Sequence, residues 1–145
     1  MTLREIIRHK GSFVHTISPC ASLYDVSVRL VEHHCGSLVV CDERGPRRTI
    51  LGIITERDLL GAAAANGGTL VDLCVVDHMT TGLITAHPDD TVEDVMGVMT
   101  EQRIRHLPVI EDDELVGLVS IGDVVKAQHD LAIQENFYLK TYIQS

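Results

Sequence analysis

The chain is poor in aromatic residues, which make up 3% of its 145 residues, and it has no tryptophan at all. A core must therefore be built from Val, Ile, Leu and Ala, and a hydrophobic fraction of 45% supplies enough of them for one compact domain or two very small ones. Cysteine is scarce. Cys20, Cys35, Cys41 and Cys74 are scattered without a C-x-x-C pair. With no apolar leader in the opening "MTLREIIRHK", this pattern points to the reducing cytoplasm. Positive charge is also short, with 12 Lys and Arg against 21 Asp and Glu, a net charge of −9 and a pI of about 5.2. Nucleic acid and anionic membranes, which call for a basic face, are thereby excluded as main partners. Arg44, Arg47 and Arg48 cluster around Gly45-Pro46 and read as the solvated tip of a hairpin. No apolar run is long enough for a membrane span.

Signatures of catalysis are missing too. There is no Walker loop and no G-x-G-x-x-G, and "GLVSIG" is not a nucleophile elbow because Leu118 stands where the first glycine must be. His33, His34 and Cys35 are adjacent in "VEHHCG", but neighbours on a helix diverge, so no metal site is expected there. No catalytic residues are assigned, and the chain is not expected to be an enzyme.

What is present is a repeat. "GIITERDLL" (52–60) and "GLVSIGDVV" (117–125) share a glycine, two aliphatics, a hydroxyl, an aspartate and two more aliphatics in the same order. Upstream, "VHTISPCASLYDVSVRLVEHHCGSLVVC" (14–41) parallels "LITAHPDDTVEDVMGVMTEQRIRHLPVI" (83–110). Pro19 and Pro88 lie 69 residues apart, whereas Asp58 and Asp123 lie 65 apart. The four-residue difference belongs to the longer first hairpin, "DERGPRRT" against "EDDE". Helical spacing marks Val26, Leu30 and Val31 in one copy and Val92, Val95, Met96 and Met99 in the other. The runs "SLVVC" and "HLPVI" read as buried strands. Each copy is thus strand, helix, strand, strand, helix, an α/β (α+β) class. The expected organisation is an N-terminal helix (1–11), repeat one (12–66), a joining stretch (67–82) whose structure the sequence does not assign, repeat two (83–128) and a C-terminal helical extension (129–145). A lone copy would bury little surface, so the two are expected to pack face to face and form a cleft lined twice by the same residues.

The repeated boundary admits two readings. Thr55-x-x-Asp58 and Ser120-x-x-Asp123 are capping boxes, which suffices for a purely structural role. The same helix start can also grip a nucleotide: free N–H groups and the dipole suit phosphate, and a carboxylate can accept from both ribose hydroxyls. Arg57, beside Asp58, can pair with phosphate.

Taken together, "GIITERDLL", "RHLPVI" and "GLVSIGDVVK" resemble a cystathionine-β-synthase-type (CBS) domain pair, or Bateman module, over about residues 12–128, and the chain looks most like small stand-alone bacterial proteins of that kind. The resemblance implies two β-α-β-β-α units packed through their sheets with pseudo-two-fold symmetry. It implies a regulatory module that senses an adenosine-containing ligand, with AMP or ATP first and ADP, NAD(H) and S-adenosylmethionine in the same class. It also implies a homodimer, with a target protein that the sequence does not identify, and it implies neither catalysis nor a metal. Carried over by motif, Asp58 and Asp123 contact ribose, and Thr55 and Ser120 lie near ribose or phosphate. Asp58 is expected to work with Thr85 and the strand after Arg105-His106, and Asp123 with Thr16 and the strand from Ser37. Arg57, Arg105 and His106 are the expected phosphate partners. Gly122 stands where the first copy has Arg57, and Ser37-Leu38 where the second has Arg105-His106. The Asp123 site is therefore expected to lack a cation at the matched positions, although Lys126 is near, and to be weak, empty or selective for a less charged ligand. The alternative is a structural or protein-interaction module without a ligand. The helices at 2–9 and 124–143 are expected to stand outside the core as signalling surfaces, the second carrying Leu131, Phe137, Tyr138, Leu139 and Tyr142.

Overall fold

The structure, a computed structural model, describes residues 1–42, 44–45 and 48–144, without the side chains of residues 142–144. The elements run α1 (Leu3–Lys10), β1 (Thr16–Ile17), α2 (Leu23–His33), β2 (Ser37–Asp42), β3 (Thr49–Thr55), α3 (Glu56–Ala65), α4 (Val75–His78), α5 (Val92–Gln102), β4 (His106–Glu111), β5 (Glu114–Ser120) and α6 (Ile121–Gln144). The expected mixed class and the tandem repeat are both present. Glu43, Pro46 and Arg47 of the expected hairpin tip, and the Tyr142 side chain, lie outside the described residues. Arg44 is exposed and pairs with Asp42, whereas Arg48 is half-buried and donates to the Leu115 carbonyl at 3.0 Å, so it is not merely solvated.

The chain divides into two compact units. One comprises Phe13–Ile84 with Asp112–Leu115. Its sheet has the order β1-β2-β3, with β1 parallel to β2 through Thr16↔Val39 and Ile17↔Val40, and β2 antiparallel to β3 from Ser37↔Thr55 to Asp42↔Thr49. The apolar faces of α2 and α3 cover this sheet, burying Leu23, Val26, Leu30, Leu59 and Ala62 against Leu38, Val40 and Ile54. Val31, expected on that face, is 75% exposed. It lies one residue beyond the Leu23–Val26–Leu30 row, on the flank turned to solvent.

The other unit comprises Met1–Ser12, Thr85–Glu111 and the chain from Val116 onward. Here β4 and β5 form the sheet, and the leading strand shrinks to one parallel bridge, Ala86↔Val109, at the position that repeats Ile17↔Val40. Its core, including Val92, Val95, Met99, Leu107, Val109, Val119, Val124 and Ala127, follows the first core position by position. The helix ends repeat as well. Ser22 and Thr91 cap α2 and α5 through the backbone N–H of Asp25 and Asp94. Both helices stop at a left-handed residue, His34 (φ 51°) and Arg103 (φ 55°).

The helix at the start does not stand outside the core as expected. Leu3 is fully buried and Ile6 nearly so, in the cluster formed with the second repeat. The backbone N–H groups of Leu3 and Arg4 donate to the carbonyls of Asp90 (3.0 Å) and Pro88 (2.8 Å). The stretch joining the repeats treats the first repeat in the same way. Val75 and Val76 of α4 donate to Ala21 (2.9 Å) and Pro19 (3.1 Å), and Val75 is fully buried. Each unit is therefore completed by the segment that precedes the other repeat in sequence. The far half of α6 is exposed, with Phe137 and Tyr138 each at 64% and Leu139 at 59%.

Candidate functional site

The two repeated helix starts are built alike, each within its own unit. At α3, the Thr55 hydroxyl accepts from the Asp58 N–H (3.3 Å), while the Asp58 Oδ2 accepts from the Thr55 N–H (2.9 Å) and hydroxyl (3.1 Å). At α6, the Ser120 Oγ accepts from the Asp123 N–H (3.1 Å), and the Asp123 Oδ2 accepts from the Ser120 N–H (2.9 Å). One further backbone bond recurs: Glu56 N–H to the Gly36 carbonyl (3.0 Å), and Ile121 N–H to the Arg105 carbonyl (2.8 Å). Each box thus joins a helix N-terminus to the turn entering the neighbouring strand, fixing a half-buried carboxylate at a positive dipole end.

The glycine that opens each repeated motif has a steric reason. A Cβ at Gly52 would lie 2.6 Å from the Thr80 carbonyl oxygen and 2.9 Å from the Met79 sulfur; at Gly117 it would lie 2.8 Å from Ile7 Cδ1. In both units the motif strand passes close under the segment that completes the core.

Thr16, Ser37, Thr55, Arg57 and Asp58 fall in the first unit. Ser37 lies directly opposite Thr55 across β2 and β3 but is only 4% exposed, and Thr16 pairs with Val39. Arg57 is exposed on the first turn of α3. Thr85, Arg105, His106, Ser120 and Asp123 fall in the second unit. Thr85 and Arg105 are exposed, and His106 is half-buried at the start of β4.

A residue outside the repeats changes the second carboxylate. Lys10, at the last position of α1, places its Nζ 2.6 Å from the Asp123 Oδ2 and 2.9 Å from the Leu118 carbonyl oxygen. Burial by itself pushes the Asp123 carboxyl up, but the Lys10 hydrogen bond, the Ser120 N–H and the Lys10 charge more than reverse this and hold it below the ordinary aspartate value. This cation stands at none of the matched positions; it comes from α1, out of the reach of motif matching. Among the described residues, Asp58 has no such ion-pair partner. Beside the Lys10–Asp123 pair runs a groove of about 890 Å³ between α1 and α6, walled by Ile6, Lys10, Asp123, Lys126, Leu131 and Phe137 among others. Among the described residues, no group of three or more His, Cys, Asp or Glu could hold a metal ion, and no helix is long and apolar enough to cross a membrane.

Comparison with known proteins gives a consistent result. The CBS domain model matches residues 2–65 and 75–130. The mitochondrial CBS domain-containing protein CBSX3 of Arabidopsis thaliana is 41% identical over 125 residues, which are 85% of this chain and 60% of that protein. The chain therefore spans less than two thirds of that relative's length. The crystal structure of a CBS-domain containing protein from Agrobacterium tumefaciens matches with a TM-score of 0.82 at 37% identity, covering 88% of this chain and 99% of that one. A CBS domain pair solved in complex with methylthioadenosine and S-adenosylmethionine matches with a TM-score of 0.72 at 26% identity, covering 90% of this chain and 97% of that one.

Proposed function

This chain belongs to the CBS domain family, and on that footing we propose that it is a regulatory module that senses an adenosine-containing nucleotide, AMP or ATP first and NAD(H) or S-adenosylmethionine within the same class. The observation that carries the reading is the duplicated helix start. A carboxylate is held rigidly at each N-terminus by a hydroxyl residue's backbone, and among the described residues the second oxygen of Asp58 accepts no hydrogen bond. Such an oxygen suits a ribose hydroxyl, and the helix end suits phosphate. Arg57, exposed beside Asp58, is the proposed phosphate partner in the first repeat. Thr16, Ser37 and Thr85, with Arg105 and His106, complete the proposed set of contacts. The related pair solved with two adenosine compounds supports the ligand class. The reading makes the chain a binder that reports to another protein, working as a homodimer. Its four free cysteines suit a reducing compartment, for which the cytoplasm is proposed.

One observation favours the structural alternative: the Thr55–Asp58 box is fully reciprocal without any ligand. Isothermal titration calorimetry of the wild type and Asp58→Ala with AMP, ATP, NADH and S-adenosylmethionine separates the two readings. Saturable binding that is lost in a folded Asp58→Ala supports the sensor. Absence of binding to the well-folded wild type refutes it and leaves an interaction module.

A further inference from the structure

Lys10 makes the two repeated carboxylates chemically different. Its ammonium is held by two oxygens, those of Asp123 and Leu118, and the Asp123 oxygen it uses is the one that also accepts from Ser120. The helix that delivers it is fixed. Leu3 and Ile6 are buried, and Arg4 reaches Glu111 at 2.6 Å and Asp89 at 3.2 Å. At the position of Arg57 the second repeat has Gly122, so Lys10 is the cation that this helix start does not carry itself.

We propose that Lys10 is the specificity-determining residue of the Asp123 position, admitting phosphorylated nucleosides and disfavouring neutral ones. This rests on the nucleotide-binding reading above and adds the ligand's charge. A neutral nucleoside whose ribose hydroxyls span both Asp123 oxygens competes with Lys10 for Oδ2 and brings no anion for the ammonium it displaces. A phosphorylated nucleoside offers that ammonium a new and stronger partner. The flexible four-carbon stem of lysine lets the charge swing to it while α1 stays in place. Of the other ionisable groups along the adjoining groove, including the Met1 amine, His9, Lys126 and Asp130, none has a hydrogen bond or ion pair to Asp123 among the described residues, so the discrimination falls to Lys10.

The test is calorimetry on the full chain carrying Asp58→Asn, which leaves the Asp123 position as the binding site, with adenosine and AMP as probes. AMP is expected to bind at least about tenfold tighter than adenosine. Adding Lys10→Met, which keeps the stem and removes the charge, is expected to weaken AMP, strengthen adenosine and bring the two within about threefold. Lys10→Arg is expected to keep the preference. A preference unchanged by Lys10→Met overturns the proposal, and so does an equal loss of both ligands with a lowered melting temperature, which marks a structural role. If the wild type binds AMP at Asp58 but the Asp58→Asn chain binds neither probe, the Lys10 proposal alone falls. If the wild type binds no nucleotide, the nucleotide-binding reading falls and the Lys10 proposal with it.

Discussion

Replacing Gly52 by alanine tests whether the repeated glycine is a steric requirement. The added methyl would sit 2.6 Å from the Thr80 carbonyl oxygen. That carbonyl accepts from the Ile53 N–H at 3.0 Å, while the Thr80 N–H donates back to Ile53 at 2.9 Å, so it is pinned from both sides. Relief requires backbone movement. Overpacking of this kind costs about 1–3 kcal/mol, and each hydrogen bond weakened adds about 0.5–1.5 kcal/mol. Alanine returns about 0.5–1 kcal/mol by restricting the unfolded chain. The expected net loss is about 2 kcal/mol, or a melting temperature lower by about 4–8 °C. Gly117→Ala is the control. It meets the Ile7 side chain and no backbone atom, Cδ1 at 2.8 Å and Cγ1 at 3.1 Å, and that side chain can shift for about 0.5–1.5 kcal/mol, nearly offset by the same gain. Urea denaturation followed by circular dichroism should place Gly52→Ala well below Gly117→Ala, and Ile7→Val should relieve the second variant. Met79→Ala should not rescue the first, because the clash with a backbone oxygen remains. Equal stability of the two glycine variants would refute the reasoning.

The His15 pKa is lowered, chiefly by burial and then by the His33 charge; the two rings are stacked with centroids 4.0 Å apart. Its contribution to stability is therefore present above the ordinary histidine value of 6.5 and lost as pH falls through the lower folded value; NMR titration should place His15 below 6.5, and His33→Gln should raise it. Asp123, also lowered, contributes stability above the ordinary aspartate value that is lost as pH falls through its folded value. Lys10→Met should move its carboxyl titration upward, since burial, the largest influence, then meets less opposition.

Much of the fold was legible because a repeat states its own alignment. The 69-residue offset between the prolines carries Ile17↔Val40 onto Ala86↔Val109, and the left-handed His34 onto Arg103. The 65-residue offset carries one box onto the other, and the strand–helix boundaries fall at Thr55 and Ser120 as read. Val31 shows where helical spacing alone falls short: its counterpart in the other copy is Thr100, an exposed polar residue, which marks the position as an outer one. The placing of α1 was not legible in the same way. "LREIIRHK" announces a helix with one apolar face, but periodicity says only that the face is covered, not by what. Its partner begins at residue 85, and Lys10 meets Asp123 across more than a hundred residues. Lys10 belongs to neither copy of the repeat, so no internal alignment brings it beside Asp123.

The exchange of flanking segments makes a sharp statement about where damage at the start of the chain is felt. Leu3 is fully buried, and its cluster includes Val92, Val95, Met99, Leu107 and Val124, all beyond residue 85. Leu3→Ala removes most of a buried aliphatic side chain, a change that costs about 2–5 kcal/mol depending on how far the cavity collapses. If α1 belonged energetically to the repeat it precedes, amide exchange would quicken first in β1, β2 and β3. If it belongs to the unit in which it packs, protection should fall in α5, β4 and the first turns of α6, while Val39 and Ile53, at the centre of the other sheet, keep theirs at low denaturant. Hydrogen exchange resolved by residue distinguishes these outcomes. Val75→Ala is the mirror experiment: Val75 is fully buried in the first core, so the loss should appear around Leu23, Leu38 and Ile54 although the substitution lies next to the second repeat in sequence. A uniform loss of protection in both variants would mean that the two cores open as one cooperative unit, and a loss confined to each segment's sequence neighbours would mean that the packing of α1 and α4 contributes little to holding them.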